Sequence, residues 1–384
     1  VLEEPQSALY SWIQGSAGGW RDQVEVGDVI FVVDVGGGTT DLSLIVVLEQ
    51  DGALQLHRVA VGDHILLGGD NMDLALAHVV GQKLAQEGTR LDPWQLRALT
   101  HGCRSAKEIL LTDPDTEAVP VVVPSRGSRL IGGTLRTELT HQEVAATVLE
   151  GFFPEVDASA RPAGRARAGL TKLGLPYAQD AAITRHLAAF LARQTEATAD
   201  LEGFAKAVPA GATFLHPTAV LFNGGVFKSK LLVERLMEVL SGWLEAEQAA
   251  PARLLEGADL DRAVAQGAAY YGYVRSGGGV RIRGGTAQSY YVGVESAMPA
   301  VPGMAPPIQA LCVAPFGMEE GTEAALPPQE FGLIVGEPVR FRFFGSSVRR
   351  HDEVGVLLEQ WDEEEIQELG ELEVSLPAEG RTPG

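Results

Sequence analysis

The stretch FVVDVGGGTTD, residues 31–41, decides how the chain is read. An apolar run ends in Asp34, three glycines and two threonines follow, and Asp41 opens a second apolar run, LSLIVVL. Residues 29–33 and 42–48 read as strands, with the glycines as the turn between them. Asp51-Gly52 gives a hairpin signal, and residues 54–61 a third strand. The glycine loop therefore joins two strands of a meander. A Rossmann or P-loop unit leads its glycines from a strand into a helix instead, and GxxxxGK[ST] does not occur. Two readings of the loop stay open. As a turn, the glycines supply positive φ, although a tight hairpin needs fewer of them. As a phosphate loop, Gly36, Gly37 and Gly38 let backbone N–H groups surround phosphate oxygens, and Thr39 and Thr40 donate hydroxyl hydrogen bonds. Asp34 and Asp41 would then repel phosphate unless a hydrated magnesium ion lay between.

With 384 residues, 45% hydrophobic and 21% charged, the chain is globular in composition and long enough for two or more domains. Its net charge of −21 argues against nucleic acid or an anionic membrane as the main partner. No apolar run reaches bilayer-spanning length. The start, VLEEPQSALYSW, carries no methionine and no basic segment ahead of an apolar core. It is read as no signal peptide, and the chain is expected to be a fragment of a longer protein. Cys103 and Cys312 lie too far apart in sequence to suggest a metal motif or a disulfide framework, so a cytoplasmic location is expected. The eight histidines form no HExxH pair.

Further along, apolar residues at helical spacing predict a helix over 71–86 and another over 94–111, the latter opened by Asp92-Pro93 with Asp92 as cap. AVPVVV and SRLIGGTLRTEL read as strands, and THQE as a capping box into a helix over 143–153. SARPAGRARAG is a basic loop, DAAITRHLAAFLARQ a helix and EATADLEGFAKAV a candidate second one. TAVLFNGG is a strand broken by two glycines, SKLLVERLMEVLSGWL a helix with Leu231, Leu232, Leu236, Val239, Leu240 and Trp243 as core, and LDRAVAQGAAYYGYV a small-residue helix. Beyond residue 284, QSYYVGVE and the stretch 337–361 alternate like strands with GSS as a turn, and DEEEIQELGELE reads as a solvated face or edge.

Four glycine pairs end apolar stretches: within 36–38, Gly68-Gly69, Gly132-Gly133 and Gly224-Gly225. Each alone is an ordinary turn signal. Gly224-Gly225 lies between a strand and a helix, which suits either a tight connection or N–H groups and a helix dipole facing a nucleotide.

In order, these pieces resemble the nucleotide-binding domain of the DnaK-type seventy-kilodalton heat-shock chaperones, members of the actin and sugar-kinase superfamily. The resemblance runs through LEEPQSALYSW, FVVDVGGGTTDLSLIVV, VGDHILLGGDNMDLALA, CRSAKEIL, AVLFNGGVFKSKLLVERL and LDRAVAQGAAYYGYV, over residues 1–153 and 216–276. It implies an α/β, ribonuclease H-like actin-type ATPase lobe, with a core over 1–64 and 137–283, a helical insertion over 154–215, an α+β upper subdomain over 65–136 and a β-rich C-terminal region over 284–384. It implies ATP or ADP with Mg2+ as cofactors. Glu4 and Asp34 would act on magnesium-bound waters; Gly36, Gly37, Gly38, Thr39 and Thr40 would form the phosphate loop, and Asp41 would position the attacking water. Gly224, Gly225, Val226, Lys228 and Asp261 would lie along the nucleotide, and Lys107 would reach its ribose or adenine. The chemistry would be metal-assisted phosphoryl transfer to water. The implied partners are a first lobe that closes over the nucleotide, unfolded polypeptide clients and a co-chaperone, and this lobe alone is expected to be inactive.

The chain departs from the family pattern at Arg104, Glu108 and Leu111 on the adenosine helix, and at Val226 and Lys228 after the second glycine pair. Arg104 and Glu108 have the spacing of an internal i,i+4 pair. These changes keep a second reading open, a catalytically inactive scaffold with a degraded adenosine site. A third, a sugar or metabolite kinase of the same superfamily, is opposed by the segments around Gly68 and Cys103.

Overall fold

A computed structural model describes residues 2–50, 52–124, 135–164, 177–198, 208–286, 288–296, 307–319, 321–328, 331–332, 335–336, 338–362 and 365–375. The chain divides into two units, Val1–Ile282 and Arg283–Gly384.

The first unit opens with helix α1 (Glu4–Gly15) and the meander β1 (Val29–Val35), β2 (Thr40–Gln50) and β3 (Ala53–Val61). Then come α2 (Gly69–Gln86), α3 (Pro93–Thr112), β4 (Ala118–Val123), β5 (Leu135–Thr140), α4 (His141–Phe152) and α5 (Ile183–Ala192). The unit ends with β6 (Ala219–Asn223), α6 (Lys230–Ala246), β7 (Arg253–Leu254), α7 (Ala263–Arg275) and β8 (Ile282–Arg283). Six strands form one sheet in the order β7-β6-β1-β2-β3-β8. β1 is central and buried at every position, antiparallel to β2 and parallel to β6. Alternation along it feeds two cores. Val29, Phe31 and Val33 join the cluster built with α2 to α6, while Ile30 and Val32 join the one built with α1 and α7. Each such fully buried side chain contributes roughly 1.5–3 kcal/mol. α1 and α7 approach so closely that a Cβ at Gly267 would lie 1.8 Å from the Ser7 carbonyl oxygen.

Local signals place the helices that carry the site. Asp92 accepts from the N–H groups of Trp94 at 2.7 Å and Gln95 at 2.9 Å, and Gln95 returns a bond to the Asp92 N–H. Thr140 and Glu143 form the same reciprocal box at α4. In α6, Leu232, Leu236, Val239, Leu240 and Trp243 are buried as expected, whereas Leu231 is only half-buried. Gly132-Gly133, much of the strand expected around them, and most of the second helix expected over 196–208 lie outside the described residues.

The second unit is an antiparallel sheet of β9 (Ser289–Glu295), β10 (Ile308–Ala314), β11 (Pro338–Ser346), β12 (Leu357–Leu358) and β13 (Gln367–Ser375), in the order β12-β10-β9-β11-β13. Its small core joins Tyr291, Ala310, Cys312, Phe344 and Ile366. Strand β10, IQALCVA, was not expected from the sequence. The GSS turn is corrected: Gly345 and Ser346 end β11, and Ser346 Oγ donates to the Glu365 carbonyl at 2.6 Å. The acidic run forms edge strand β13, where Glu368 and Glu373 pair with Arg342 and Arg340. Among the described residues no helix is long and apolar enough to cross a membrane.

Candidate functional site

The last β1–β2 pair is Val35 with Thr40, and the Gly36 N–H donates to the Thr39 carbonyl at 2.9 Å, so the glycines do close a tight hairpin. None of Gly36, Gly37 or Gly38 has positive φ. A Cβ at Gly38 would meet nothing within 4 Å, and those at Gly36 and Gly37 would make only ordinary contacts. Neither backbone conformation nor packing therefore demands three glycines here. The peptide planes are fixed from one side: the N–H groups of Gly69 and Asp70, at the start of α2, donate to the carbonyls of Gly36 at 3.0 Å and Gly37 at 2.7 Å. In a trans peptide the N–H points opposite to its carbonyl. The N–H groups of Gly37 and Gly38 thus face away from α2, and with that of Thr39 they make no hydrogen bond among the described residues. Gly68 enforces the contact from the other side, since a Cβ there would lie 2.7 Å from the Gly36 and Gly37 oxygens.

Asp34 is 3% exposed. It stands between Asp41 on β2 and Asn223 on β6, all three in register. Burial raises its carboxyl to about 6, offset in part by the Asn223 hydrogen bond and reinforced by the charges of Glu4 and Asp41. No ion pair reaches it among the described residues. Asp41 accepts from His64 Nδ1 at 2.7 Å. Oxygen donors dominate the group, and no three acidic, histidine or cysteine side chains among the described residues approach closely enough to cage a metal directly. Such a set suits a hard cation that keeps its waters.

A cleft of about 530 Å³ opens beside the loop, of a size common for small-molecule sites. Gly36, Gly37, Lys107, Gly225, Val226 and Lys228 are among its lining. Its cations are already engaged. Lys107, 8% exposed, lies 2.6 Å from Asp73 and donates to the Gly69 carbonyl at 3.2 Å. Arg104 bonds Asp73 at 2.8 Å and also Asp70, and the Asp73 hydrogen bond above all holds its guanidinium above the ordinary arginine range. Lys228 pairs with Asp261, which lies outside the lining.

A family model described as Hsp70 protein matches residues 19–143. The Hsp70 match takes in the hairpin, Asp34, Asp41, α2 and Lys107; Glu4 and everything from Gly224 onward lie beyond it. It supports an Hsp70 relationship over about a third of the chain. The mixed α/β architecture of the first unit is consistent with an actin-like ATPase lobe.

Several expectations for individual residues change. Thr40 is fully buried and its hydroxyl donates to the Leu67 carbonyl at 2.8 Å, so it does not face a phosphate; strand alternation turns it opposite to Thr39. Arg104 turns to α2 rather than to Glu108, because Asp70 and Asp73 offer two carboxylates across the helix contact. Gly224-Gly225 leads into a single 3-10 turn, Gly225–Lys228, and α6 begins only at Lys230, so no long helix dipole starts at the glycines. Gly224 does need to be glycine: its φ is +93° and a Cβ would lie 2.2 Å from the Val35 oxygen. Glu4 stands at the start of α1, where its charge is felt by Asp34. Asn223, His64, Asp70 and Asp73 were not singled out. Only Asn223 carried a signal, as a polar end to an otherwise apolar strand.

Proposed function

We propose that the chain is the nucleotide-handling lobe of a divergent Hsp70-type chaperone and that it cradles the phosphates of ATP or ADP on residues 36–39. The observation that carries this reading is the bare loop. Of three glycines that the chain's own packing does not require, Gly36 and Gly37 hold their carbonyls against α2, and the N–H groups of Gly37, Gly38 and Thr39 make no hydrogen bond among the described residues, the arrangement that binds phosphate oxygens. The cleft beside it would take the nucleoside, along Gly225 and Val226.

Glu4 and Asp34 would hold a magnesium ion through its waters, and the buried, cation-free carboxylate of Asp34 fits that role. When bound, the ion supplies charge neutralisation on the phosphates. The Gly37, Gly38 and Thr39 N–H groups would orient the phosphate chain. Asp41, oriented by His64, would accept a hydrogen bond from the attacking water and set its approach. Hydrolysis is assigned to this lobe closed against a facing first lobe, and nucleotide state would be coupled to the C-terminal unit and so to a polypeptide client or co-chaperone. Calorimetry with ADP, with and without Mg2+, tests the reading. Saturable Mg-dependent binding is expected; no heat at millimolar nucleotide would sink it.

One observation favours a second reading, an interaction scaffold that no longer turns over nucleotide. Arg104, Lys107 and Lys228, which line the cleft, are each neutralised by a carboxylate of the same chain. A null result in the same calorimetry would favour the scaffold.

A further inference from the structure

Strand β6 is apolar, AVLF, until it ends in Asn223, which is 2% exposed. Asn223 stands beside Asp34 in the parallel register, and its Nδ2 donates to Asp34 Oδ2 at 2.7 Å. Its Oδ1 is buried and has no hydrogen-bond partner among the described residues. The amide orientation follows from this bond, because the flipped form would set oxygen against a carboxylate oxygen. A buried acceptor left unpaired costs about 1–3 kcal/mol, and native folds keep few of them. Valine, near in size, would continue the β6 pattern without the unpaired acceptor, but it would also remove a hydrogen bond from the buried Asp34 carboxylate. The bond to Asp34 accounts for the amide nitrogen; nothing in the described fold uses Oδ1.

The neighbouring acids do not relieve it: Asp41 and Glu4 act as charges on Asp34, and ionised carboxylates only accept hydrogen bonds. No described protein group donates to Oδ1, which leaves an ordered water, a ligand or a ligand's waters as the donor. The next residue tightens the arrangement: a Cβ at Gly224 would lie 2.8 Å from Asp34 Oδ1. The two oxygens of Asp34 are therefore bounded by consecutive residues of one strand end, Oδ2 by the Asn223 amide and Oδ1 by the Gly224 backbone. That fixes the rotation of the carboxylate, as ordered water-mediated coordination requires.

We infer that Asn223 is a positioning residue of the cation site, holding Asp34 in place and accepting a hydrogen bond through Oδ1 from a water of the bound Mg2+. This deepens the proposed function and rests on it for the identity of the cation. A neutral amide supplies a further oxygen without adding charge where Asp34 is already crowded by two carboxylates.

Mn2+, a spectroscopic stand-in for Mg2+, tests the inference by electron paramagnetic resonance titration of the whole chain, alone and with ADP. Asn223→Val is expected to lower Mn2+ affinity at least about tenfold, and Asn223→Ser, which keeps a hydroxyl, to recover part of the loss. Asn223→Ser carries the test if the valine variant fails to fold. A purely structural role would lower the melting temperature and leave Mn2+ affinity unchanged in the folded variant. The inference is overturned if a folded variant without the amide binds Mn2+ within about twofold of wild type in both conditions, or if wild type binds no Mn2+ in either. ADP calorimetry on the same samples separates the two claims. Normal Mg-dependent ADP binding in the valine variant would defeat the role of Asn223 and leave the nucleotide reading standing; no ADP or Mn2+ binding by wild type would defeat both.

Discussion

The hairpin end of the central sheet and the wall of the cleft beside it are finished to different degrees. At the hairpin, among the described residues, three N–H groups lack partners, a buried carboxylate lacks a cation and an amide oxygen lacks a donor. On the cleft wall every cation named above is closed onto a carboxylate of the chain. Groups that folding leaves unsatisfied are expected to be completed by a ligand, and groups it satisfies are expected to hold the fold. The difference separates residues that share a resemblance to one family. Lys107 and Asp34 both lie within the Hsp70 match, but here the first braces α3 against α2 and the second has no cation partner among the described residues.

Substitutions can break this contrast, beginning with the largest expected effect. Gly224→Ala should destabilise the unit by on the order of 3 kcal/mol in urea titration, through positive φ and collision with the Val35 carbonyl. Lys107→Met should cost about 3 kcal/mol, because it removes a buried partner of Asp73, while ADP affinity stays within about twofold. A larger loss of affinity in that variant would return Lys107 to the binding site.

Asp34→Asn has a pH signature. The folded carboxyl titrates near 6 against an ordinary 3.8. Below about pH 4 both folded and unfolded states are protonated and the buried acid costs little. As pH rises through 6 the folded state must ionise it, and stability falls by up to about 3 kcal/mol. The variant should therefore gain stability over wild type progressively from pH 4 to 7 and lose Mg-dependent ADP affinity at least about tenfold. A difference that is flat with pH would contradict the buried, uncompensated carboxylate. Gly38→Ala should change stability by no more than about 0.5 kcal/mol yet weaken ADP about tenfold. The smallest effect is expected for Thr40→Val, about 1 kcal/mol of stability from its bond to Leu67, with no change in ADP affinity.

The meander, the α2 and α3 helices, the Asp92 cap and the Thr140 capping box were legible because each rests on local chemistry: alternation, helical spacing, and a side-chain oxygen at the helix start. The loop was legible as rich in glycine but ambiguous in purpose. What separates turn from cradle is whether a Cβ would meet anything, and that depends on α2, thirty residues away. Thr40 could not be told from Thr39 by type; the one-residue step of a strand turns one into the core. Arg104 pairs across helices instead of along its own, a contact that i,i+4 spacing cannot foresee. Strand β10 was missed because IQALCVA is a short apolar run whose period fits helix and strand alike.

The N–H groups of Gly37, Gly38 and Thr39 are the proposed phosphate ligands. Amide-resolved NMR of the 15N-labelled chain during titration with Mg-ADP reads those groups directly. These three amides are expected to shift most and to become protected from solvent exchange as the site fills. Saturable ADP binding that leaves the Gly37 and Gly38 amides unmoved would contradict that assignment.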